Sequence, residues 1–227
     1  MTVSNRFLQE KFGGQVVRHA VDTELFNSER YNSEQFRQEL GIDLHRKILM
    51  FCGTPQVHKG IDDLIDAANL LTDRDDFLLA VVGNKDSGYA KTVTDRAKEM
   101  LGEKFREFGL QPFEKIPQFL SLADVIVIPQ RKNFSTVGQV PIKVFEGMAM
   151  AKPVVSTVVS DIPEILQGCG WTVEPENPPQ LAEAIRTVLT DPEAAQAMGQ
   201  KARQKCIENY SWDAVEQVLQ KIIQNIL

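Results

Sequence analysis

The sequence is poor in cysteine, and it has no long apolar run. Its three cysteines, Cys52, Cys169 and Cys206, are widely spaced and form no C-x-x-C pair, so we expect neither disulfides nor a cysteine-ligated metal. No apolar run approaches the about 20 residues of a membrane span, and residues 1–14 lack the apolar segment of a signal peptide. These absences predict a cytoplasmic protein without a membrane span.

Basic charge and glycine-rich nucleotide motifs are also missing. A net charge of −6 and a pI near 5.2 argue against a nucleic-acid partner, because such binders are usually basic. The sequence contains neither G-x-x-x-x-G-K-[ST] nor G-x-G-x-x-G, which argues against a P-loop and against a dinucleotide-dependent oxidoreductase. His58 has no second histidine, cysteine or carboxylate at ligand spacing, so we predict no metal site.

What the sequence does contain is an alternation of short apolar segments and longer amphipathic ones. From Lys47 onward the pattern predicts strands over 48–52, 77–82, 105–109, 125–128, 154–156 and 170–173. It predicts helices over 60–71, 88–101, 113–122, 179–189, 192–209 and 212–226, and a further one that Pro141 opens. Before Lys47 we expect a helix over 3–12, a strand over 15–18, and a helix over 34–40 capped by Ser33. This order predicts an α/β fold, a Rossmann-like doubly wound parallel sheet with C-terminal helices.

Ligands of such sheets bind at the carboxyl ends of strands. The loop from Gly53 to Gly60 follows the first core strand, and Lys59 gives it a positive charge; the alternative is a plain strand-to-helix turn. Asn84, after the next strand, is placed either to bond a sugar or to cap its loop. Arg131 and Lys132 either meet a diphosphate or lie in a solvated loop.

The helix that follows Gly138 carries the most informative pair of residues. Lys143 falls in its first turn and Glu146 one turn later, behind a helix N-terminus suited to phosphate. A carboxylate at Glu146 can accept hydrogen bonds from two ribose hydroxyls. The alternative is an amphipathic helix with a solvated i,i+3 ion pair. Further on, Asp161 is predicted to cap a short helix.

Taken in order, these motifs resemble one family, the retaining glycosyltransferases of the GT-B fold, which includes sucrose-phosphate synthase. The matching pieces cover nearly the whole chain: Val21-Asp-Thr-Glu-Leu-Phe26, Gly53…Lys59-Gly60, Val82-Gly83, Ala123-Asp124-Val…Pro129, Pro141-x-Lys-x-Phe-Glu146-x-Met-Ala149, Lys152-Pro-Val-Val155 and Tyr210-Ser-Trp212.

The resemblance is to the C-terminal half of such an enzyme, the half that binds the nucleotide-sugar donor. It implies that residues 1–14 are the end of an acceptor domain and its linker, and that 15–227 form the donor-binding domain. We expect the acceptor domain itself to be absent, either because the chain is truncated or because it is a stand-alone half.

The resemblance also assigns roles. It places Lys59 and Glu146 in the catalytic centre, on the donor diphosphate and the ribose hydroxyls respectively. Amides of Gln139–Ile142 with Lys143 would receive the phosphates, and segment 110–116 would frame the base. The full set of implied binding residues is Gly53, Thr54, Lys59, Gly83, Asn84, Gln111, Ile116, Gly138, Gln139, Val140, Pro141, Ile142, Lys143 and Glu146. Two positions depart from the family pattern: Thr54 stands where many members have arginine, and Gly138 where many have glutamate.

The predicted function is transfer of a sugar, with retention, from a UDP-, GDP- or ADP-sugar to an unknown acceptor. The nucleotide sugar is then a substrate, and no cofactor is predicted. The alternative is a binding module that holds a nucleotide sugar, or pairs with a separate acceptor-domain protein, and has no turnover of its own.

Overall fold

The structure is a computed structural model and describes residues 1–225. The strands are β1 (Thr2–Val3), β2 (Gln15–Val16), β3 (Lys47–Cys52), β4 (Phe77–Val82), β5 (Phe105–Glu107), β6 (Val125–Ile128), β7 (Val154–Thr157) and β8 (Trp171–Val173). The helices are α1 (Arg6–Phe12), α2 (Ser33–Glu39), α3 (Ile61–Asn69), α4 (Gly88–Leu101), α5 (Ile116–Ser121), α6 (Phe134–Val137), α7 (Ile142–Ala149), α8 (Ile162–Leu166), α9 (Pro178–Thr190), α10 (Pro192–Tyr210) and α11 (Trp212–Gln224).

Strands β3 to β8 form one parallel sheet in the order β5-β4-β3-β6-β7-β8. Counted from β3, this is the 3-2-1-4-5-6 order of the doubly wound nucleotide-binding fold. The chain reverses direction across the sheet between β3 and β6, so the ligand crevice is expected above the carboxyl ends of those two strands. The predicted fold class is confirmed.

The sheet is buried on both faces because its central strands are apolar at nearly every position. In β3, Ile48 and Met50 belong to the core shared with Phe145 of α7, whereas Leu49 packs in the core shared with Leu64 of α3. Successive side chains of a strand point to opposite faces, and an apolar run without alternation therefore fills both cores.

Helix α7 is placed by its own sequence. Pro141 has the extended ψ of 131° at the N-cap, so the helix begins one residue later than predicted, at Ile142. Its apolar side chains Val144, Phe145 and Met148 are buried. The burial of these three side chains fixes the orientation of α7 on the sheet, and with it the position of the helix N-terminus.

Several local predictions need correction. The predicted loop 131–140 contains the helix α6. Asn133 and Thr136 cap the N-terminus of this helix with a reciprocal capping box. Asn32 rather than Ser33 caps α2, since its side chain accepts from the Gln35 amide at 3.0 Å.

Other predicted boundaries were too long or misassigned. The strands predicted over 15–18 and 105–109 end at Val16 and Glu107. The helix predicted over 113–122 opens as a 3-10 turn. Asp161 makes no cap bond to α8; its carboxylate instead accepts from the Arg6 amide at 3.0 Å. The predicted end of the last helix at Ile226 lies outside the described residues.

The first 16 residues are tied to the rest of the chain. Strand β1 pairs with β2, with Thr2 opposite Gln15. The fully buried side chain of Asn5 donates to the Val137 carbonyl and to the Ser160 hydroxyl, both at 2.9 Å. The division of the chain at residue 14 remains a prediction. Within residues 1–225, no helix is both long and apolar enough to cross a membrane.

Candidate functional site

A cavity of about 200 Å³ lies in the crevice at the carboxyl ends of β3 and β6, against the start of α7. Its position is the one that the strand order predicts. The lining residues are Phe51, Cys52, Gly53, His58, Lys59, Val127, Ile128, Gln130, Gln139, Pro141, Ile142 and Lys143.

The loop after β3 holds Lys59 at this cavity. The Lys59 ammonium donates to the Thr54 carbonyl at 2.9 Å, which folds the side chain back across the loop towards Gly53. Gly60 has φ +67°, and a Cβ added there would lie 1.8 Å from the Pro129 carbonyl oxygen. The loops after β3 and β6 therefore touch, and a side chain at Gly60 would force them apart.

Helix α7 supplies the opposite wall. The Lys143 ammonium lies 2.6 Å from Glu146 Oε2, and the Glu146 side chain is only 2% exposed. The pair exists, as the simpler interpretation of the sequence required, but its carboxylate is buried rather than solvated. The first backbone N–H groups of an α-helix have no acceptor within the helix, and Pro141, Ile142 and Lys143 at the start of α7 line the cavity.

Burial changes the acid–base properties of these groups. It raises the pKa of Glu146 above its ordinary value, because desolvation outweighs the attraction of the Lys143 ammonium. It lowers the pKa of Lys59, and the Lys143 charge lowers it further. The Cys52 thiol, buried below them, has its pKa raised to about 11. Lys143 is paired with the Glu146 carboxylate, whereas Lys59 bonds to a backbone carbonyl and has no carboxylate partner in the structure as described. The two ammonium groups at one cavity therefore suit an anion.

The structure gathers most of the predicted residues at this cavity. Those that line it are Gly53, Lys59, Gln139, Pro141, Ile142 and Lys143. Thr54 and Glu146 bond to lining lysines. A Cβ on Gly83, which has φ +98°, would lie 3.1 Å from the Gly53 carbonyl carbon, so the glycine permits the loops after β3 and β4 to touch.

The remaining predicted residues lie outside the lining. Asn84 is buried, donates to Glu107 Oε2 at 2.7 Å and accepts from the Gly109 amide at 2.8 Å, which is the loop-capping alternative. Gln111 donates to the Phe108 carbonyl. Ile116 and Val140 are buried in the core.

Two further positions also lie outside the lining: Gly138, which was predicted to bind the nucleotide, and Arg131, for which the sequence left two alternatives. Gly138 ends α6 and faces the Leu8 side chain, 3.8 Å from where its Cβ would be. Arg131 forms a two-pronged bond with the Asp63 carboxylate, at 2.7 and 2.9 Å. Its charge is therefore already engaged by the protein.

Sequence reasoning did not include His58, Cys52 and Gln130 in the site. His58 lines the cavity beside Lys59, and its pKa is lowered by burial and by that neighbouring charge. Its place one residue before Lys59 was the available signal. Within residues 1–225, no group of three or more His, Cys, Asp or Glu side chains could hold a metal ion.

Comparison with known proteins identifies the class. Residues 32–205 match the sequence profile of the family described as glycosyl transferases group 1, and the chain belongs to that family. It is 30% identical over 218 residues to the alpha-maltose-1-phosphate synthase of Mycolicibacterium smegmatis, with 90% of this chain and 55% of the relative covered. The D-inositol 3-phosphate glycosyltransferase of Corynebacterium diphtheriae is 29% identical, with 91% and 49% covered. The chain therefore spans about half the length of these curated relatives.

Solved structures agree on the fold. The sucrose-phosphate synthase of Thermosynechococcus elongatus has a TM-score of 0.80 at 20% identity, covering 99% of this chain and 57% of that one. Anabaena HepE, solved in complex with UDP, has a TM-score of 0.84 at 18% identity, covering 99% and 63%. The resemblance to one Rossmann-like half of a GT-B enzyme is confirmed.

Proposed function

We propose that this chain binds the nucleotide-sugar donor of a retaining glycosyltransferase, with the diphosphate between Lys59 and Lys143. The observation that carries the proposal is the convergence of these two lysines, Glu146 and the first turn of α7 at the crevice between β3 and β6. A diphosphate supplies the negative charge that two ammonium groups lining one cavity attract.

The nucleoside is proposed to lie beside the diphosphate, with its ribose at Glu146. The carboxylate can accept both ribose hydroxyls once the Lys143 ammonium turns to the phosphates. The base would extend towards segment 110–116, where Leu110 and Phe113 are exposed apolar side chains. HepE was solved with UDP, which supports a nucleoside diphosphate as the ligand class.

Isothermal titration calorimetry with UDP, GDP and ADP tests the proposal directly. We expect saturable binding of at least one of them. No heat with any of the three at millimolar concentration would contradict the proposal, and binding of NADH instead would favour an oxidoreductase.

Lys59→Ala is the variant that connects binding to the site. We expect a loss of about 1.5–3 kcal/mol in the free energy of nucleotide binding, because one charge-assisted contact to phosphate is removed. The melting temperature should stay unchanged, since Lys59 lies in a loop. Lys201→Ala, at an exposed lysine of α10 outside the cavity lining, is the matched control and should bind normally.

A second candidate function is a nucleotide-sugar-binding half or subunit that has no turnover of its own. Sugar retention, a separate acceptor-domain partner, the domain division at residue 14 and a cytoplasmic location are likewise proposals.

A further inference from the structure

Gln130 is a buried polar side chain at the donor cavity to which the proposed function assigns no role. It follows the end of β6 by two residues and lines the cavity, and the residue is only 3% exposed. A side-chain amide offers two N–H groups and an oxygen with two lone pairs. Buried polar groups of folded proteins nearly always have partners, so the partners of Gln130 indicate what this side chain does.

The amide of Gln130 uses only one of these positions among the residues that the structure describes. Its Nε2 donates to the Thr136 carbonyl at 3.4 Å, which is longer than most N–H···O hydrogen bonds. The same carbonyl already accepts from the backbone amides of Gly138 and Gln139, and an oxygen has two lone pairs. The bond from Gln130 is therefore weak, and the Thr136 carbonyl does not depend on it.

The amide oxygen of Gln130 faces the cavity. Within residues 1–225 it accepts no hydrogen bond, whereas every side-chain nitrogen or oxygen that is sealed from solvent there has a partner. The oxygen must therefore reach open space, and the open space that Gln130 lines is the donor cavity. Exchanging the amide oxygen and nitrogen would set two oxygens against each other at Thr136, which disfavours the opposite assignment.

The neighbouring elements hold Gln130 in this position. The Thr157 hydroxyl of β7 donates to the Gln130 carbonyl at 2.6 Å, and the Ser156 hydroxyl donates to a carbonyl of β6 at 2.8 Å. The next residue, Arg131, is held through its side chain by Asp63 of α3. An amide on a backbone fixed in this way is preorganised to select among ligands by hydrogen bonding.

An acceptor that faces the cavity restricts the chemistry of its ligand. An ionised phosphate oxygen is itself an acceptor and cannot bond to the amide oxygen, whereas a hydroxyl can donate to it. In the proposed nucleotide-sugar complex, the ribose lies at Glu146 and the base extends towards segment 110–116. Neither Glu146 nor that segment contributes to the cavity lining. The hydroxyls that remain for Gln130 are those of the transferred sugar.

We propose that Gln130 binds a hydroxyl of the donor sugar through its amide oxygen, and so helps to determine which sugar the chain accepts. The inference rests on the proposed function, because it places the sugar next to the diphosphate between Lys59 and Lys143. Apolar side chains form most of the remaining wall, an arrangement in which a few polar groups fix the orientation of a ligand. A sugar that lacks this hydroxyl leaves the amide oxygen without a partner and binds more weakly.

Calorimetry with a nucleoside diphosphate and its glucose conjugate tests the inference. The nucleotide is UDP, GDP or ADP, whichever the unchanged chain binds, and the conjugate is the corresponding UDP-, GDP- or ADP-glucose. Gln130→Met keeps an unbranched side chain and removes the amide. We expect it to bind the conjugate about tenfold more weakly and the free nucleotide as before. Gln196→Met, at an exposed glutamine of α10 outside the lining, is the matched control and should change neither affinity.

The monodeoxy analogues of the glucose conjugate give a second measurement. Loss of the hydroxyl that contacts Gln130 should weaken binding to the unchanged chain about tenfold. The same loss should have little effect in Gln130→Met, because the partner of that hydroxyl is already gone. The melting temperature of the variant should not fall, since the Thr136 carbonyl keeps its two backbone donors.

The outcomes separate this inference from the proposed function. Equal weakening of nucleotide and conjugate in Gln130→Met would indicate a structural role or a phosphate contact and would overturn the inference. Unchanged binding of the conjugate would also overturn it, as would monodeoxy analogues that all bind the unchanged chain as tightly as the parent conjugate. In these cases the unchanged chain still binds nucleotide, and the proposed function stands. No binding of any nucleotide or conjugate by the unchanged chain would remove the proposed function and this inference together.

Discussion

At Glu146, a charged carboxylate is expected to favour nucleotide binding but to lower the stability of the fold. Its carboxylate is 2% exposed, and its pKa is raised by burial. A carboxyl group whose pKa is higher in the folded than in the unfolded protein stabilises the fold at low pH, and this contribution is lost as pH rises between the two values. At neutral pH the residue therefore lowers stability, which suggests that it is retained for binding.

Glu146→Gln should accordingly separate the two properties. We expect a higher free energy of unfolding at pH 7 in urea titrations, because the buried charge is gone and the partly exposed Lys143 can turn to water. Nucleotide binding should weaken by about 1–3 kcal/mol, since one acceptor becomes a donor. Binding of pyrophosphate, which has no ribose, should hardly change. Equal losses for nucleotide and pyrophosphate would refute the ribose assignment.

The pH dependence of UDP-glucose binding gives an independent prediction at the same residues, because its diphosphate, unlike the terminal phosphate of UDP, does not titrate near pH 6. Affinity should fall on acidification as Glu146 is protonated, at a higher pH than for an ordinary glutamate because its pKa is raised. It should fall on the alkaline side as Lys59 is deprotonated, at a lower pH than for an ordinary lysine because its pKa is lowered. Calorimetry across pH should show both limbs, whereas Glu146→Gln should lack the acid limb only.

Gly60 tests the contact between the two loops of the site. Gly60→Ala would combine a positive φ with a Cβ placed 1.8 Å from the Pro129 carbonyl oxygen, and we expect a loss of more than about 3 kcal/mol in stability. Gly41→Ala is the matched control, because its φ is +64° with no atom within 4 Å of the added Cβ. It should lose only about 1 kcal/mol. Chemical unfolding of both variants measures the difference, and similar losses would mean that the loops separate easily.

At the scale of elements, the distribution of apolar residues determined which strands and helices could be predicted from the sequence. The runs Lys47–Cys52 and Phe77–Val82 are too apolar and too short for anything but buried strands, and both were placed correctly. Helix α6 escaped prediction because four residues give no periodicity. Its fold depends on the Asn133 capping box and on a bond from Asn5, which lies 132 residues away from Val137 in sequence. A tertiary contact of that kind leaves no local signal.

Asn5→Ala should therefore affect more than one helix. The side chain caps α1 through the Leu8 amide at 3.0 Å and also holds the end of α6 and Ser160. We expect a loss of about 2–4 kcal/mol in unfolding free energy, which combines a cap with a buried carbonyl left unpaired. The control Asn32→Ala removes only the cap of α2 at an exposed residue and should lose about 1 kcal/mol. Equal losses would show that Asn5 acts as a cap alone.

At the scale of the whole molecule, strand order places the site. Functional loops were expected after strands, and the crevice between β3 and β6 brings the loop of Lys59 to the helix of Lys143. Sequence could not show how far each side chain reaches. Asn84 and Arg131, equally well placed in the chain, are engaged by Glu107 and Asp63 instead. Which charged groups face ligand depends on such pairings, and these form only in the folded molecule.

The whole-molecule prediction is that donor binding and turnover are separable in this chain. UDP that binds only the folded form should raise the free energy of unfolding by about 2.7 kcal/mol at a concentration 100 times the dissociation constant. The resemblance to the donor half of a two-domain enzyme leads us to expect no sugar transfer or sustained UDP release from UDP-glucose by the same preparation. Thermal shifts and a coupled UDP assay measure the two properties together. Sustained UDP release that Lys59→Ala abolishes would show instead that residues 1–227 carry a complete catalytic centre, and would remove the case for a non-catalytic binding half.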